Sequence, residues 1–308
     1  MIPILNLIRW KNLIIIALVQ CLIKYALLDP FIVSHGVTIT LNTLGFSILV
    51  AATLCIAAAG NIINDLYDIE TDTVNKPDKV IIGKHISEKL AFNLFIILNV
   101  IGVGLGFYLS NSIGKNPFAI IFIIISASLY IYSSYLKQIT LVGNLVISAV
   151  VAMSILVVGI FELLPVLTPE NRDIQIAFLE IIRDYAIFAF LINLLRELIK
   201  DIEDIDGDHK AGMRTLPIVL GRDRATKIAF VFALVILINV VYYVVTYLFK
   251  QTLAVGYFLA LVIAPLLYVA IKTYSAEQKS QYKHISTVLK LVMVTGILSL
   301  LLYKYILL

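Results

Sequence analysis

Two acidic segments with the same spacing are the part of this 308-residue chain best suited to chemistry. Each segment reads DxxDxxxD, and its carboxylates are Asp65, Asp68 and Asp72 in the first copy and Asp201, Asp204 and Asp208 in the second. At about 100° per residue, positions i, i+3 and i+7 share one face of a helix. Each copy therefore predicts one acidic stripe, with Asn61 on the first stripe and Asn64 nearby.

Carboxylates crowded at helix ends in a membrane repel each other and need a cation to compensate them. Ligands that are all oxygen, without His or Cys, suit a hard cation such as Mg²⁺. In proteins, Mg²⁺ typically binds through one or two carboxylates, substrate phosphate oxygens and water. The paired motifs therefore predict a diphosphate held between two stripes.

Basic residues beside the motifs could neutralise phosphate oxygens through charge-assisted hydrogen bonds. Lys76 follows the first stripe, and Lys200 and Arg214 flank the second. Two other interpretations stay open. The carboxylates could be solvated helix ends that pair with these cations and with Lys79, or they could form the ion site of a transporter, although such sites normally lie near the bilayer midplane.

The composition places the motifs in a membrane protein. Hydrophobic residues make up 61% of the chain and charged residues 14%, against roughly 25% charged residues in soluble domains. Too few polar side chains are present to cover a water-soluble globule. This excludes an ordinary soluble enzyme, and we expect no nucleic-acid partner.

Nine apolar segments are long enough to cross a hydrocarbon core of about 30 Å as helices. They lie at 12–28, 41–63, 90–109, 117–136, 140–161, 177–199, 225–249, 252–271 and 286–307. We therefore predict an all-α polytopic membrane bundle of about nine transmembrane helices. It forms a single domain over residues 1–308, with the first acidic motif in 61–79 and the second in 196–217.

Basic residues concentrate in alternate loops, on the side that holds the N-terminus and both acidic motifs. The positive-inside rule assigns that side to the cytoplasm. We expect an integral protein of the cell membrane with its active site facing the cytoplasm.

The motif sequences resemble the UbiA superfamily of intramembrane prenyltransferases. The resemblance rests on NDLYDIETD followed by NKPDK, and on RELIKDIEDIDGD followed by TLP. Within the superfamily, the combination is most similar to the digeranylgeranylglyceryl phosphate synthases. Lys76 departs from the family pattern, which usually has Arg there; Lys keeps the charge but loses the bidentate fork.

The resemblance implies that the six aspartates are catalytic and bind Mg²⁺ and the diphosphate of a prenyl donor. Asn61 and Asn64 match family positions that line this site. Tyr132 and Lys137, in YSSYLKQITLVGN, match polar residues of a conserved cytoplasmic loop, although an interfacial Tyr and Lys belt would look the same. Arg9 and Asn12 resemble residues that open the first span in relatives, where many have Pro instead of Trp10.

The implied fold is a UbiA-type bundle around an apolar cavity, and the implied reaction is Mg²⁺-dependent transfer of a polyprenyl group. The leading reaction is geranylgeranyl transfer to geranylgeranylglyceryl phosphate in ether-lipid synthesis. One alternative acceptor is an aromatic precursor of the menaquinone or ubiquinone type, and a cation or lipid transporter is a more distant alternative. Expected partners are a prenyl diphosphate donor, a lipid or aromatic acceptor and membrane lipids.

Overall fold

Nine long helices make up most of the computed structural model, which describes residues 2–307. They are α1 (Trp10–Leu28), α2 (Thr43–Tyr67), α3 (Glu88–Ser112), α4 (Asn116–Ser134), α5 (Val142–Leu163), α6 (Arg172–Glu203), α7 (Arg222–Leu248), α8 (Thr252–Tyr274) and α9 (Lys279–Leu307). The connecting segments contain the short helices Ile2–Leu7, Phe31–His35, Ile69–Asn75, Pro77–Lys79, Leu136–Gln138, Ile205–Lys210 and Leu216–Leu220. No β-strand occurs within residues 2–307, and the predicted all-α fold is confirmed.

Eight of these helices are long and apolar enough to cross a membrane. The other one, α6, has 32 residues and carries charged groups towards both ends. At the end away from the acidic motif, Arg183 forms surface ion pairs with Glu180 and Asp184. Each predicted apolar segment overlaps one long helix, and segment 177–199 lies inside α6. The chain is therefore an integral membrane protein with α6 as its ninth long helix.

Two apolar cores hold the helices together, and α6 contributes to both. The first core packs α1, α2, α4 and α5 against the first half of α6, with Leu49, Phe161 and Ile182 fully buried. The second core packs the other half of α6 against α7, α8 and α9, with Ala229 and Leu289 fully buried. As an element of both cores, α6 carries the second acidic motif between the two halves of the bundle.

Both acidic motifs break their helix at the middle aspartate. Asp68, after α2, has φ −98° and ψ 6°, and Asp204, after α6, has φ −99° and ψ 8°. The chain then continues as the short helices Ile69–Asn75 and Ile205–Lys210. Asp tolerates such breaks because its side chain competes with the helix for backbone hydrogen bonds. The prediction of one continuous helical stripe per motif was therefore wrong, since the third aspartate lies on a separate helix.

A buried ion pair lies in the first core, at the end of α5 away from the acidic motifs. Lys24 Nζ donates to Glu162 Oε1 at 2.8 Å and to the Leu41 carbonyl at 2.7 Å. Glu162 Oε2 accepts from the Leu41 backbone N–H at 3.0 Å. The side chains of Lys24 and Glu162 are 4% and 0% exposed. The pair therefore ties α1 and α5 to the loop that leads into α2.

Glu162→Ala should destabilise the protein strongly, because it leaves the Lys24 ammonium buried without a carboxylate. Removing one partner of a buried pair typically costs about 3–5 kcal/mol. The matched control is Glu180→Ala, which removes a surface pair of a kind worth about 0.2–1 kcal/mol. In detergent, the melting temperature should fall much further for Glu162→Ala. Equal melting temperatures for the two variants would contradict a stabilising role for the buried pair.

Candidate functional site

A cavity of about 1010 Å³ lies between the two halves of the bundle. Residues of α1, α2, α4, α5, α6 and α9 line it. Both acidic motifs lie at one end, and positions farther along the same helices are apolar, among them Ile16, Ile56, Val151 and Met293. The cavity therefore joins a carboxylate-rich mouth to an apolar interior.

The structure brings nearly all of the predicted site residues to this cavity. The six motif aspartates all line it. Eight of the nine predicted substrate-binding residues line it as well: Arg9, Asn12, Asn61, Asn64, Lys76, Tyr132, Lys137 and Lys200. Residues from six helices and their connecting segments therefore converge on one site.

Arg214 is the predicted residue that the structure does not bring to the cavity. The chain turns at Gly212, where φ is 68°, and leads Arg214 to the segment between α4 and α5. There its backbone N–H donates to the Gln138 carbonyl at 2.9 Å, and its carbonyl accepts from the Thr140 hydroxyl. Its side chain is exposed and is not among the residues that line the cavity.

Cations and amides compensate the first motif. Arg9 Nη2 donates to Asp65 Oδ1 at 2.6 Å. Asp68 pairs with Lys137 through Oδ1 and accepts from Asn64 Nδ2 through Oδ2 at 2.8 Å. The segment after α4 and the turn before α1 are therefore both held to the end of α2 by charge.

The turn that carries Arg9 has a strained backbone. Arg9 has φ 53° and ψ 52°, in the left-handed region, which costs a non-glycine residue about 1–2 kcal/mol. Asn61 Nδ2 donates to the Ile8 carbonyl at 3.0 Å. Together with the ion pair between Arg9 and Asp65, this hydrogen bond holds the turn against α2 and offsets the strain.

The second motif is less completely compensated. Asn144 Nδ2 donates to Asp201 Oδ2 at 2.9 Å. Lys76, from the first motif segment, pairs with Asp204 Oδ2 at 2.5 Å, whereas Asp204 Oδ1 is buried and has no hydrogen-bond partner among the described residues. Lys200 donates to Glu197 at 2.7 Å rather than to a motif aspartate.

Asn75 joins the two motif helices directly. Its Nδ2 donates to the Asp204 carbonyl at 3.0 Å, and its Oδ1 accepts from the Gly207 backbone N–H at 3.0 Å. Sequence reasoning missed both Asn75 and Asn144, although they lie in NKPDK and YSSYLKQITLVGN. Single neutral amides carry no spacing or charge signal, so only their position beside an already suspected motif could have indicated them.

Burial and mutual repulsion shift the titration of the third aspartate in each motif. Burial raises the pKa of Asp72 to about 6, and repulsion from Asp68 adds to the shift. Burial raises the pKa of Asp208 to about 8, with further repulsion from Asp201 and Asp204. The protein alone therefore does not neutralise these carboxylates fully.

The donor set fits a hard divalent cation completed by other ligands. Within residues 2–307, no three His, Cys, Asp or Glu side chains form a ready-made metal shell. However, carboxylate oxygens from both motifs face the same cavity, and buried Asp204 Oδ1 has a free acceptor position. Mg²⁺ needs only one or two carboxylates when phosphate oxygens and water complete its octahedron, so this arrangement suits Mg²⁺ arriving with a diphosphate.

Residues 25–294 match the UbiA prenyltransferase family. The chain belongs to this family. It is therefore a membrane prenyltransferase, which decides against the transporter alternative. A digeranylgeranylglyceryl phosphate synthase of Methanosphaera stadtmanae is 30% identical over 82% of this chain and 86% of its own length. A protein of the same name from Pyrococcus abyssi is 32% identical, over 65% of each chain.

Solved UbiA homologues share the fold. The apo structure of a homologue from Aeropyrum pernix superimposes with a TM-score of 0.69 at 15% identity, over 94% of this chain and 98% of the other. A homologue from Archaeoglobus fulgidus, bound to DMAPP and Mg²⁺, gives a TM-score of 0.56 at 16% identity, over 97% and 98% of the two chains. The predicted UbiA-type bundle is confirmed.

Gly207→Ala should impair the site by separating the two motif helices. A Cβ atom at Gly207 would lie 2.3 Å from Asn75 Nδ2, so the Asn75 bridge must break or shift. A displacement of about 1 Å can cost about a hundredfold in rate, and we expect kcat/KM for prenyl transfer to fall by about ten- to a hundredfold.

The control for this experiment is Gly104→Ala in α3, where a Cβ atom would meet nothing within 4 Å. This variant should keep full activity and gain slightly in melting temperature, since Ala favours a helix over Gly by about 0.5–1 kcal/mol. Full activity in Gly207→Ala would show that the bridge does not position the motifs.

The raised pKa values of Asp72 and Asp208 predict that the metal-free protein loses stability as pH rises. Between the ordinary value of 3.8 and the folded-state values of about 6 and about 8, the folded state holds more protons than the unfolded state. The free energy of unfolding must then fall with pH. The melting temperature in EDTA should decrease across this range, and Mg²⁺ should raise it more near pH 8 than near pH 5.

Asp208→Asn supplies the control for the pH experiment, because it removes the group that titrates highest. The melting temperature of this variant should fall less between pH 6 and pH 8 than that of the wild type. An unaltered pH dependence in Asp208→Asn would assign the effect to other groups.

Proposed function

We propose that this protein catalyses the Mg²⁺-dependent transfer of a geranylgeranyl group from geranylgeranyl diphosphate to geranylgeranylglyceryl phosphate. The observation that carries the proposal is the convergence of two acidic motifs at the mouth of one apolar cavity. Two relatives named digeranylgeranylglyceryl phosphate synthase, and a structural neighbour bound to DMAPP and Mg²⁺, support it.

The motif residues are suited to hold the donor diphosphate. The aspartates of both copies would bind Mg²⁺, which when bound neutralises the diphosphate and makes it a better leaving group. Arg9, Lys76 and Lys137 now pair with aspartates. Once those carboxylates bind metal, the three cations can donate charge-assisted hydrogen bonds to phosphate oxygens instead. Asn61 and Asn64, on α2, hold the Ile8 carbonyl and the Asp68 carboxylate in place through hydrogen bonds.

The apolar interior is suited to the prenyl tail. On α2, the cavity lining extends from Asp65 back to Thr53, a distance of about 18 Å at 1.5 Å per residue. Side chains such as Ile56 and Met293 line this depth. They would hold an extended chain of several isoprene units and exclude water from an allylic cation.

The reaction then follows from the positions of these groups. The allylic C–O bond of the donor breaks, and its electron pair leaves with the diphosphate. The acceptor hydroxyl oxygen attacks the allylic carbon, forms an ether bond and releases its proton to an oxygen base. The protein positions both substrates, stabilises charge on the leaving group and excludes water, which would otherwise trap the cation as an alcohol.

The orientation predicted from the basic residues places this site at the cytoplasmic face of the cell membrane. Lys76 and Lys210, in the segments that follow the two motifs, lie on the same side of the bundle as the motifs. A prenyl diphosphate is water-soluble at its head and apolar along its tail, so it can enter a cavity with a polar mouth at that face. We therefore propose that the donor comes from the cytoplasmic side.

Asp65→Asn and Asp201→Asn should each abolish transfer while the protein still folds, because each keeps its volume and loses the charge that a metal requires. The assay supplies labelled geranylgeranyl diphosphate, Mg²⁺ and a panel of acceptors, and identifies lipid products by mass. Asp173→Asn, exposed at the opposite end of α6, is the matched control and should remain active.

Near-normal turnover in both motif variants would contradict the two-motif site. Product formed only with an aromatic quinone precursor, and none with geranylgeranylglyceryl phosphate, would reject the lipid acceptor and favour the aromatic alternative.

A further inference from the structure

The cations beside the acidic motifs are already paired in this structure. Lys76 pairs with Asp204, and Lys137 with Asp68. Arg214, also expected from sequence to meet a phosphate, lies outside the cavity. The donor diphosphate would take over the cations of the motifs, so an acceptor that carries its own phosphate needs other basic residues.

Lys290 is a cavity-lining cation that pairs with no carboxylate among the described residues. It lies on α9, inside the apolar segment 286–307, and its Nζ donates to Asn12 Oδ1 at 2.6 Å. An unpaired ammonium within a membrane-spanning segment is costly, and such residues usually serve a ligand or an ion. A neutral amide oxygen alone does not balance its charge.

Arg196, on α6, is a second cavity-lining cation whose charge is only partly balanced. It shares the single carboxylate of Glu197 with Lys200, at 3.3 Å and 2.7 Å respectively. Its Nε is buried and has no hydrogen-bond partner in the described part of the chain. Arg196 also lies close enough to Lys290 to repel it, as does Lys11. An anion between Arg196 and Lys290 would relieve this repulsion and use the free Nε.

The cavity face of α9 is cationic at one end and apolar at the other, which complements a lipid with an anionic head group. Lys283, Thr287 and Lys290 line the cavity nearer the mouth, and Met293 and Ile297 line it farther inside. These positions recur every three or four residues and therefore form one stripe on the helix. A phosphate at Lys290 would leave an attached prenyl chain alongside the apolar part of this stripe.

We propose that Arg196 and Lys290, with Asn12, bind the phosphate of the acceptor lipid at a site separate from the donor aspartates; this inference rests on the proposed function. Asn12 is three residues after Arg9, which pairs with Asp65, and its backbone N–H donates to the Arg9 carbonyl at 2.8 Å. The hydroxyl and phosphate of a glycerol phosphate share one three-carbon unit. A phosphate held at Lys290 therefore keeps the hydroxyl within reach of the donor's allylic carbon.

The test compares two acceptors that differ only in the phosphate: geranylgeranylglyceryl phosphate and geranylgeranylglycerol. With the phosphorylated acceptor, Lys290→Met and Arg196→Met should each raise the acceptor KM by roughly ten- to a hundredfold, the equivalent of one charged hydrogen bond. The donor KM should stay near the wild-type value, which also shows that the variants fold. With geranylgeranylglycerol, the same variants should match the wild type.

Two further variants sharpen the comparison. Lys290→Arg keeps the charge and should restore most of the acceptor affinity. Lys227→Met, an exposed lysine near the start of α7 that does not line the cavity, is the matched control and should leave both KM values unchanged.

Each contrary result has a distinct meaning. Equal losses with both acceptors would make Arg196 and Lys290 structural residues and overturn the proposed site. A rise in the donor KM alone would assign them to the donor. If the wild type transfers to the phosphorylated lipid and both variants keep its acceptor KM, the phosphate site is rejected and the proposed function stands. If the wild type does not transfer to that lipid at all, the proposed function is rejected together with the site.

Discussion

Mutual repulsion among six carboxylates is the constraint around which the site is arranged. Partners for these carboxylates come from four separate parts of the chain: Arg9 before α1, Lys76 after the first motif, Lys137 after α4 and Asn144 on α5. Each contact ties a connecting segment or helix end to the cavity mouth. The need to compensate charge therefore also determines where the connecting segments on this side of the membrane lie.

The packing of α6 explains how charged residues can lie inside a membrane-spanning bundle. Apolar residues bury α6 in both cores, and the polar residues of its motif end face the cavity rather than lipid. Glu197, Arg196 and Asp201 all lie within its last eight residues. The same helix thus contributes residues to the proposed donor site and to the proposed acceptor site.

The sequence was sufficient to predict the helices and most of the polar residues that line the cavity mouth, because apolar length and aspartate spacing are local properties. Contacts between distant residues could not be predicted in this way. Asn12 and Lys290 are separated by 278 positions, and neither belongs to a motif. Arg214 shows the opposite case: it is near the motif in sequence, but the turn at Gly212 leads it away from the cavity. The breaks at Asp68 and Asp204 were missed because spacing alone cannot distinguish a continuous helix from an interrupted one.

The Asn75 bridge has a mechanical consequence. Each motif ends in a short helix that follows a break, and the side chain of Asn75 joins the first of these helices to Asp204 and Gly207 at the start of the second. A displacement of either short helix must therefore pull on the other or break both hydrogen bonds. The two short helices at the cavity mouth, although far apart in sequence, are therefore mechanically coupled.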